Sequence, residues 1–497
     1  MMTAAVPTTY LRRGWSLAFA LLLVGSAISQ DLVVVQRPAA SPDAAATEAA
    51  VLCPDRSQIV RLTPDGSERS LTDDFLAACD PAVSFDGREI LFAGRRSREE
   101  TFQIWQMDAN GGAAVRITDD PGDAISPLWV GSLFHLNDDA PTGRIAYLAT
   151  GHGWVDPRTG GPVAALYTSD LDGGNPWRIS YHPNSVLAPD VLANGRLLFA
   201  AWRGTPGEHG GSRRSLMAVN NDGTDLMALH DNHGGPPYPH SVSVGRDGRV
   251  YFVEADGESP LGGGDLAYVT LRRPLHSRTL FAAADDGAYL DPLPLADGGV
   301  LASYLSADGD ASYGLHRVNP ATGERLELVH AKNGFDILDA QALAPHPRVQ
   351  GRSSVVDLSK TTGVFFCVSS HVTDRPGLEH LREGGAVTIR VIEAVPFTKK
   401  STTTGSGSEE NILGDAPVES DGSFHVEVPS GVPLRFALLD KRGGTVAEQD
   451  SWTWVMPREW RGCIGCHEDR EMVVPNKMAD AFVKPAVQLG QTEGSEE

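Results

Sequence analysis

The sequence predicts an all-β protein: a six-bladed β-propeller followed by a small β-sandwich-like module. Three observations predict it. Turn formers are abundant, with 53 Gly and 33 Pro, while long helix-forming runs are scarce. An Asp-Gly, Asn-Gly or related turn recurs before a β-rich apolar run at a spacing near fifty residues. A second series of turns interleaves with the first, so each unit holds two tight hairpins and reads as a four-stranded blade. Such a blade cannot bury both faces alone, and a closed ring is the physical solution.

The chain has 497 residues, enough for two or three domains. Its net charge of -22 argues against binding nucleic acid or an anionic membrane surface, both of which need clustered Lys and Arg.

Residues 1–29 read as a signal peptide. Arg12 and Arg13 precede an apolar run from Trp15 to Ile28 that is short for a bilayer span, and Ala27 and Ser29 offer small residues for cleavage before Gln30. An uncleaved anchor is the alternative reading. Either way, a periplasmic or otherwise exported location is expected, with no transmembrane span after cleavage. Residues 30–55 are expected to be a linker. There are five cysteines, and an oxidising compartment would permit Cys53 and Cys79 to pair. Cys367 follows an apolar run and reads as a small buried hydrophobe.

The propeller is expected over residues 56–370. The first series of turns has Gly87, Gly143, Gly195, Gly248, Gly298 and Gly351, in steps of 56, 52, 53, 50 and 53 residues. The second has Gly66, Gly111, Gly173, Gly223 and Gly323, each after a short strand such as "QIWQMD" or "ALYTSD". The phrasing "SFDGREILF" resembles the repeats of TolB-like propellers. Residues 371–456 form the expected sandwich-like module, in which "SFHVEV" and "PLRFALLD" alternate as half-buried strands do. A polar loop, "TKKSTTTGSGSEENI", interrupts it.

Residues 457–490 contain the motif that carries chemistry, and 491–497 form an acidic tail. Cys463, Cys466 and His467 spell C-x-x-C-H. Two thiols at this spacing can form thioethers to the vinyl groups of one haem c, and the adjacent His then supplies a proximal nitrogen to the iron. A redox dithiol or half of a zinc site would use the same C-x-x-C, but the adjacent His, the exported context and the lack of a second C-x-x-C favour haem. Candidate distal ligands are Met456, Met472, Met478 and His425; an open iron is the alternative. Trp452, Trp454 and Trp460 crowd the motif as haem walls or as module core. His230, His233 and His240 in "LHDNHGGPPYPHS" are weak metal candidates, since the Gly/Pro content marks a loop.

The combination of these blades with "PVESDGSFHVEVPSGVPLRFALLD" and then "SWTWVMP", "RGCIGCHEDRE" and "PNK" resembles the hydrazine synthase alpha-subunit family, over roughly Ile59 to Leu489. "YHPNSVLAPDVLANGRLLFAAW" is also similar to the propeller phrasing of that group. The resemblance implies the propeller, the haem attachment and a haem that takes part in joining two nitrogen atoms. It also implies a tyrosine ligand soon after the C-x-x-C-H, with the motif histidine released to a metal. This sequence has no tyrosine after Tyr313.

The leading expectation is an exported monohaem c-type cytochrome with a propeller scaffold, serving electron transfer or a haem-linked redox reaction with a partner protein. The alternatives are a hydrazine-synthase-like haem enzyme acting on small nitrogen compounds, and a propeller binding module with a structural haem.

Overall fold

A computed structural model describes residues 30–39, 53–135, 140–156, 159–203, 213–230, 238–255, 262–285, 287–306, 312–331, 334–373, 377–398, 409–466 and 478–490. Six four-stranded antiparallel blades form the ring. Named from the innermost strand outward, blade 2 is Ala77–Val83, Glu89–Arg95, Gln103–Asp108 and Val115–Arg116; blade 3 is Ala124–His135, Thr142–Ala149, Ala165–Asp170 and Trp177–Arg178. Blade 4 is Leu187–Val191, Arg196–Arg203, Arg213–Asn220 and Met227–His230. Blade 5 runs from Tyr238–Val244 to Thr279–Ala282, and blade 6 from Ala288–Pro294 to Arg325–Val329.

Blade 1 closes the ring with strands from both ends of the propeller sequence. Phe335–Ala342 is innermost, and Leu32–Pro38, Gln58–Leu62 and Glu68–Ser70 follow outward. Hence Leu32–Pro38, expected within a linker, is a blade strand. Its run "LVVVQRP" lacks the turn that marks the other units, because its partner lies some 300 residues away rather than across a hairpin. A buried ion pair reinforces the seam: the Arg37 guanidinium donates to Asp336 Oδ2 at 3.2 Å, and Asp336 Oδ1 accepts the Tyr313 amide at 3.0 Å. Cys53 and Cys79 form a disulfide that ties the chain before Gln58 to the innermost strand of blade 2.

Most of the predicted turns hold the positions the repeat assigns; Gly143 does not, since it lies inside the strand Thr142–Ala149. Gly87, Gly195, Gly248 and Gly298 join the first and second strands of their blades; Gly66, Gly111, Gly173, Gly223 and Gly323 join the third and fourth. The Asp or Asn before the glycine accepts from the amide two residues on, as Asp86 does from Arg88 and Asn194 from Arg196. Gly351 departs from the series. Arg352–Ser354 makes no seventh blade; it adds in parallel to the far end of the innermost strand of blade 3, since the N-terminal strands already close the ring.

Each innermost strand carries one non-glycine residue with left-handed backbone: Asp80, Ser126, Ala188, Ser241, Asp291 and Asp339, at φ 46–52°. Most lie at a shift of register with the second strand, so they act as bulges that bend the strand around the axis. Carboxylates reach across to the next blade. Asp80 accepts the Ser126 amide at 2.8 Å, Asp190 the Val244 amide at 2.7 Å and Asp291 the Asp339 amide at 3.2 Å. These residues line a central cavity of about 580 Å³. Burial raises the carboxyls of Asp80, Asp291 and Asp339, and pushes Asp190 up to about 6 against the pull of its two amide donors.

The second unit is a two-sheet sandwich. One sheet has the order Trp460–Cys463, Thr362–Cys367, Phe424–Pro429, Val487–Gln488; the other has Glu409–Pro417, Thr388–Val395, Leu434–Leu439, Thr445–Glu448. Phe365, Val426, Val428, Ile389, Val391 and Leu438 fill the space between them, and the Phe365 ring meets Phe436 edge-on at 4.9 Å. The structure places the boundaries differently from the sequence expectation. Thr362–Cys367 belongs to the sandwich, and the C-terminal segment supplies two of its strands rather than standing apart. These strands are two to six residues long and draw their ladder partners from distant sequence, so no local periodicity marks them.

No helix among the described residues is long and apolar enough to cross a membrane.

Removing the seam carboxylate should loosen the whole ring. Asp336→Ala is expected to cost about 3–5 kcal/mol, because it strips a buried guanidinium of its carboxylate; the denaturant midpoint followed by tryptophan fluorescence checks this. Asp190 should give a pH signature. Its folded acid binds the proton more tightly than the unfolded acid, whose ordinary value is 3.8. The favourable contribution is therefore complete below about pH 4 and lost as pH rises through 6, by roughly 3 kcal/mol. Asp190→Asn should remove that part of the stability change between pH 4 and 6, read as the difference from the parent protein.

Candidate cofactor site

The motif strand is fixed first by the propeller. Trp454, buried, donates its indole N–H to the Gly223 carbonyl at 3.0 Å. Met456 lies over Gly223, where a Cβ would stand 2.7 Å from its sulfur; the turn at Gly223 also needs a φ of +86°. Both demands select glycine. The buried Glu459 carboxylate accepts the Asp225 and Met456 amides, each at 2.7 Å. Burial raises the Glu459 carboxyl while Arg461 opposes the rise. Arg461 donates to the Leu226 carbonyl and, at 3.0 Å, to that of Trp454. One outer hairpin of blade 4 thus holds residues 454–461.

From that anchor Trp460–Cys463 runs as an edge strand parallel to Thr362–Cys367, with Cys463 in register with Cys367. The turn that follows is laced to residues 368–372. Val368 N–H donates to Cys463 O at 2.9 Å, Ser369 N–H to Ile464 O at 3.2 Å, and Cys466 N–H to Val372 O at 2.9 Å. Gly465 lies against the Val372 carbonyl, where a Cβ would come within 2.2 Å, so the C-x-x-C turn has no room for a side chain there. Cys463 and Cys466 are half-buried at the margin of the sandwich core, and Cys367 is fully buried beside them.

Trp460, which opens the motif strand, is 65% exposed, and Ile464, between the two cysteines, is exposed as well. On the outward face of the same sheet, His425 packs 5.4 Å from the Trp460 ring and 6.1 Å from Phe482, and Phe482 meets Phe366 edge-on at 4.9 Å. By register Cys463 faces the sandwich core with Cys367, while Trp460, Phe366 and His425 lie on the opposite face; two thiols three residues apart on one turn have the spacing that thioether attachment of a haem uses.

The other sequence candidates scatter. His467, Met472 and His233 lie outside the described residues. Met456 is buried in the propeller core cluster. Trp452 and Trp454 are buried, with Trp454 in that same cluster; Trp460 alone of the three remains at the thiol edge. His230 bonds the Pro274 carbonyl at 2.8 Å through Nδ1. His240 has both nitrogens occupied, by Ser241 Oγ at 3.0 Å and the Gly262 carbonyl at 2.9 Å, and burial lowers it to about 4. Among the described residues, no group of three or more His, Cys, Asp or Glu is gathered to hold a metal ion.

Sequence reasoning missed the docking set of Gly223, Asp225 and Glu459. Glu459, two residues after a proline beside the motif, gave no signal of burial. Its role exists only because a hairpin 234 residues earlier presents an amide to it.

Known proteins match this architecture. The family described as hydrazine synthase alpha subunit middle domain matches residues 384–468, a span that includes the whole C-x-x-C-H. Hydrazine synthase subunit alpha from Kuenenia stuttgartiensis is 23% identical over 516 aligned residues, covering 83% of this chain and 63% of the relative, so the chain spans under two thirds of that protein's length. The solved structure of Kuenenia stuttgartiensis hydrazine synthase superposes with a TM-score of 0.79 at 20% identity, over 91% of this chain and 71% of the other. Residues 384–468 thus match the hydrazine synthase alpha subunit middle domain, and the chain as a whole resembles hydrazine synthase subunit alpha, with the same fold as the solved hydrazine synthase.

Proposed function

We propose that this chain is an exported haem c protein and that its haem serves redox chemistry on small nitrogen compounds, as a hydrazine-synthase-like enzyme or subunit. The observation that carries this reading is the placement of the Cys463 and Cys466 turn. It lies within the segment that matches the hydrazine synthase middle domain, and an exposed aromatic edge adjoins it. Cys463 and Cys466 would hold the porphyrin by thioethers, and His467 would supply the proximal nitrogen. The haem would supply one-electron exchange and a binding position for a small nitrogen ligand. The protein's part is orientation and shelter. The edge strand and its anchor on blade 4 fix the thiols.

The relative is named as a subunit, which supports assembly with other chains and a protein that exchanges electrons with this one. Arg12, Arg13 and the apolar run after them support export.

A second reading is electron transfer by a six-coordinate haem. The absence of any tyrosine after Tyr313 favours it, because the family's tyrosine ligand has no counterpart here.

Expression with c-type haem maturation machinery tests both readings. The reduced pyridine spectrum and the protein mass should show one covalent haem, and Cys463→Ser with Cys466→Ser should abolish it. The ferric protein should be high-spin and its Soret band should shift on adding hydroxylamine. A low-spin spectrum that hydroxylamine leaves unchanged would move the assignment to electron transfer.

A further inference from the structure

Cys367 lies opposite the first thiol of the motif. Thr362–Cys367 and Trp460–Cys463 pair in parallel, with Phe366 against Gly462 and Cys367 against Cys463. Residues opposite each other in register put their side chains on one face of the sheet, and the next pair takes the other face. Phe366 and Gly462 share the outward face, where a Cβ on Gly462 would stand 2.5 Å from the Phe366 ring. Cys367 and Cys463 therefore share the inward face, and both pack in the sandwich core cluster. The ladder runs on past them, since Val368 N–H donates to Cys463 O at 2.9 Å. The two cysteines are thus held opposite each other from both sides.

Adjacent strands stand about 4.8 Å apart, inside the span of about 4.4–6.8 Å between Cα atoms over which a disulfide closes. Closure also needs the two Cβ atoms within about 4.5 Å. Cys463 can supply that small approach. It ends a strand that pairs on one side only, Gly462 precedes it, and the chain turns away after it. Cys367 is fully buried and Cys463 half-buried, so an oxidant from solvent reaches Cys463 first. Neither is in a disulfide in the structure.

We propose that Cys367 is the resolving thiol of Cys463, and that the two form a disulfide in the chain that carries no cofactor. The pairing rests on the exported setting proposed above, where disulfide oxidants act, and does not depend on haem. The Cys463 thiolate attacks the disulfide of a small-molecule or dithiol-oxidase oxidant, forming a mixed disulfide and releasing one thiol. The Cys367 thiolate then attacks the Cys463 sulfur, and the oxidant's second thiol leaves. Two protein thiols are oxidised to one disulfide, the oxidant's disulfide is reduced to two thiols, and the two protons go with them. While the bond stands, Cys463 cannot form a thioether and Cys466 stays a thiol. A dithiol reductant must open it before any group is attached at the motif.

The test is disulfide mapping of the full chain made without haem maturation machinery. The purified, folded protein is incubated with glutathione disulfide, its remaining thiols are alkylated in denaturant, and unreduced peptides are identified by mass. Cys367 and Cys463 should both be lost to alkylation and appear as one cross-linked species, two hydrogens lighter than its parts, with Cys466 alkylated. Cys466→Ser should keep the cross-link, and Cys463→Ser should leave Cys367 alkylated. A Cys463–Cys466 bond would overturn the pairing. So would an alkylated Cys367 in a chain whose Cys53–Cys79 bond, the internal standard, is intact. Protein taken straight from cells and alkylated without glutathione disulfide tests the setting separately. Reduced Cys53 and Cys79 there, with the cross-link still forming in the purified protein, would remove the exported setting and leave the pairing standing.

Discussion

The attachment of residues 454–461 to the Gly223 hairpin is the constraint on which the cofactor site depends. An edge strand of four residues has little stability of its own, since it pairs on one side only and then leaves the sheet. What holds it is a buried carboxylate bridging two amides, a buried indole on a carbonyl, and a guanidinium on two more carbonyls. Each is a polar group removed from water that is satisfied only when propeller and sandwich stand in one relative position. The propeller acts as a jig for the thiol turn rather than as a bystander. This explains how so short a C-terminal segment can present a cofactor motif.

The same logic accounts for the sandwich. Its two sheets mix strands from three stretches of sequence, with Thr362–Cys367 leading directly out of the propeller and Val487–Gln488 returning at the end. The thiols sit where these stretches converge. Cys367, in register with Cys463, fills the core below the turn as a small apolar side chain, where a larger one would press the turn outward.

Much of this was legible in the sequence, for a definite reason. Blades repeat, and most repeats place a residue tolerant of positive φ at the same two turns. The glycine spacing therefore counts blades without reference to any contact. The C-x-x-C-H was legible because the motif is written in five consecutive residues, independent of any long-range pairing. What escaped detection depends on pairings across long stretches of chain. Leu32–Pro38 is a plain apolar run until Phe335–Ala342 arrives, and Gly351 mimics the repeat at the place where the N-terminal strands have already taken the next blade.

The closure of blade 1 also sets a timetable. Leu32–Pro38 is among the earliest described strands to be made, yet its inner neighbour, Phe335–Ala342, comes about 300 residues later. At roughly 5–20 residues per second, that interval is about 15–60 s. Throughout it, the valine-rich strand has one edge with no native partner, a state that invites pairing with another chain. The seam that makes the finished ring rigid is thus also the longest wait in the making of the chain.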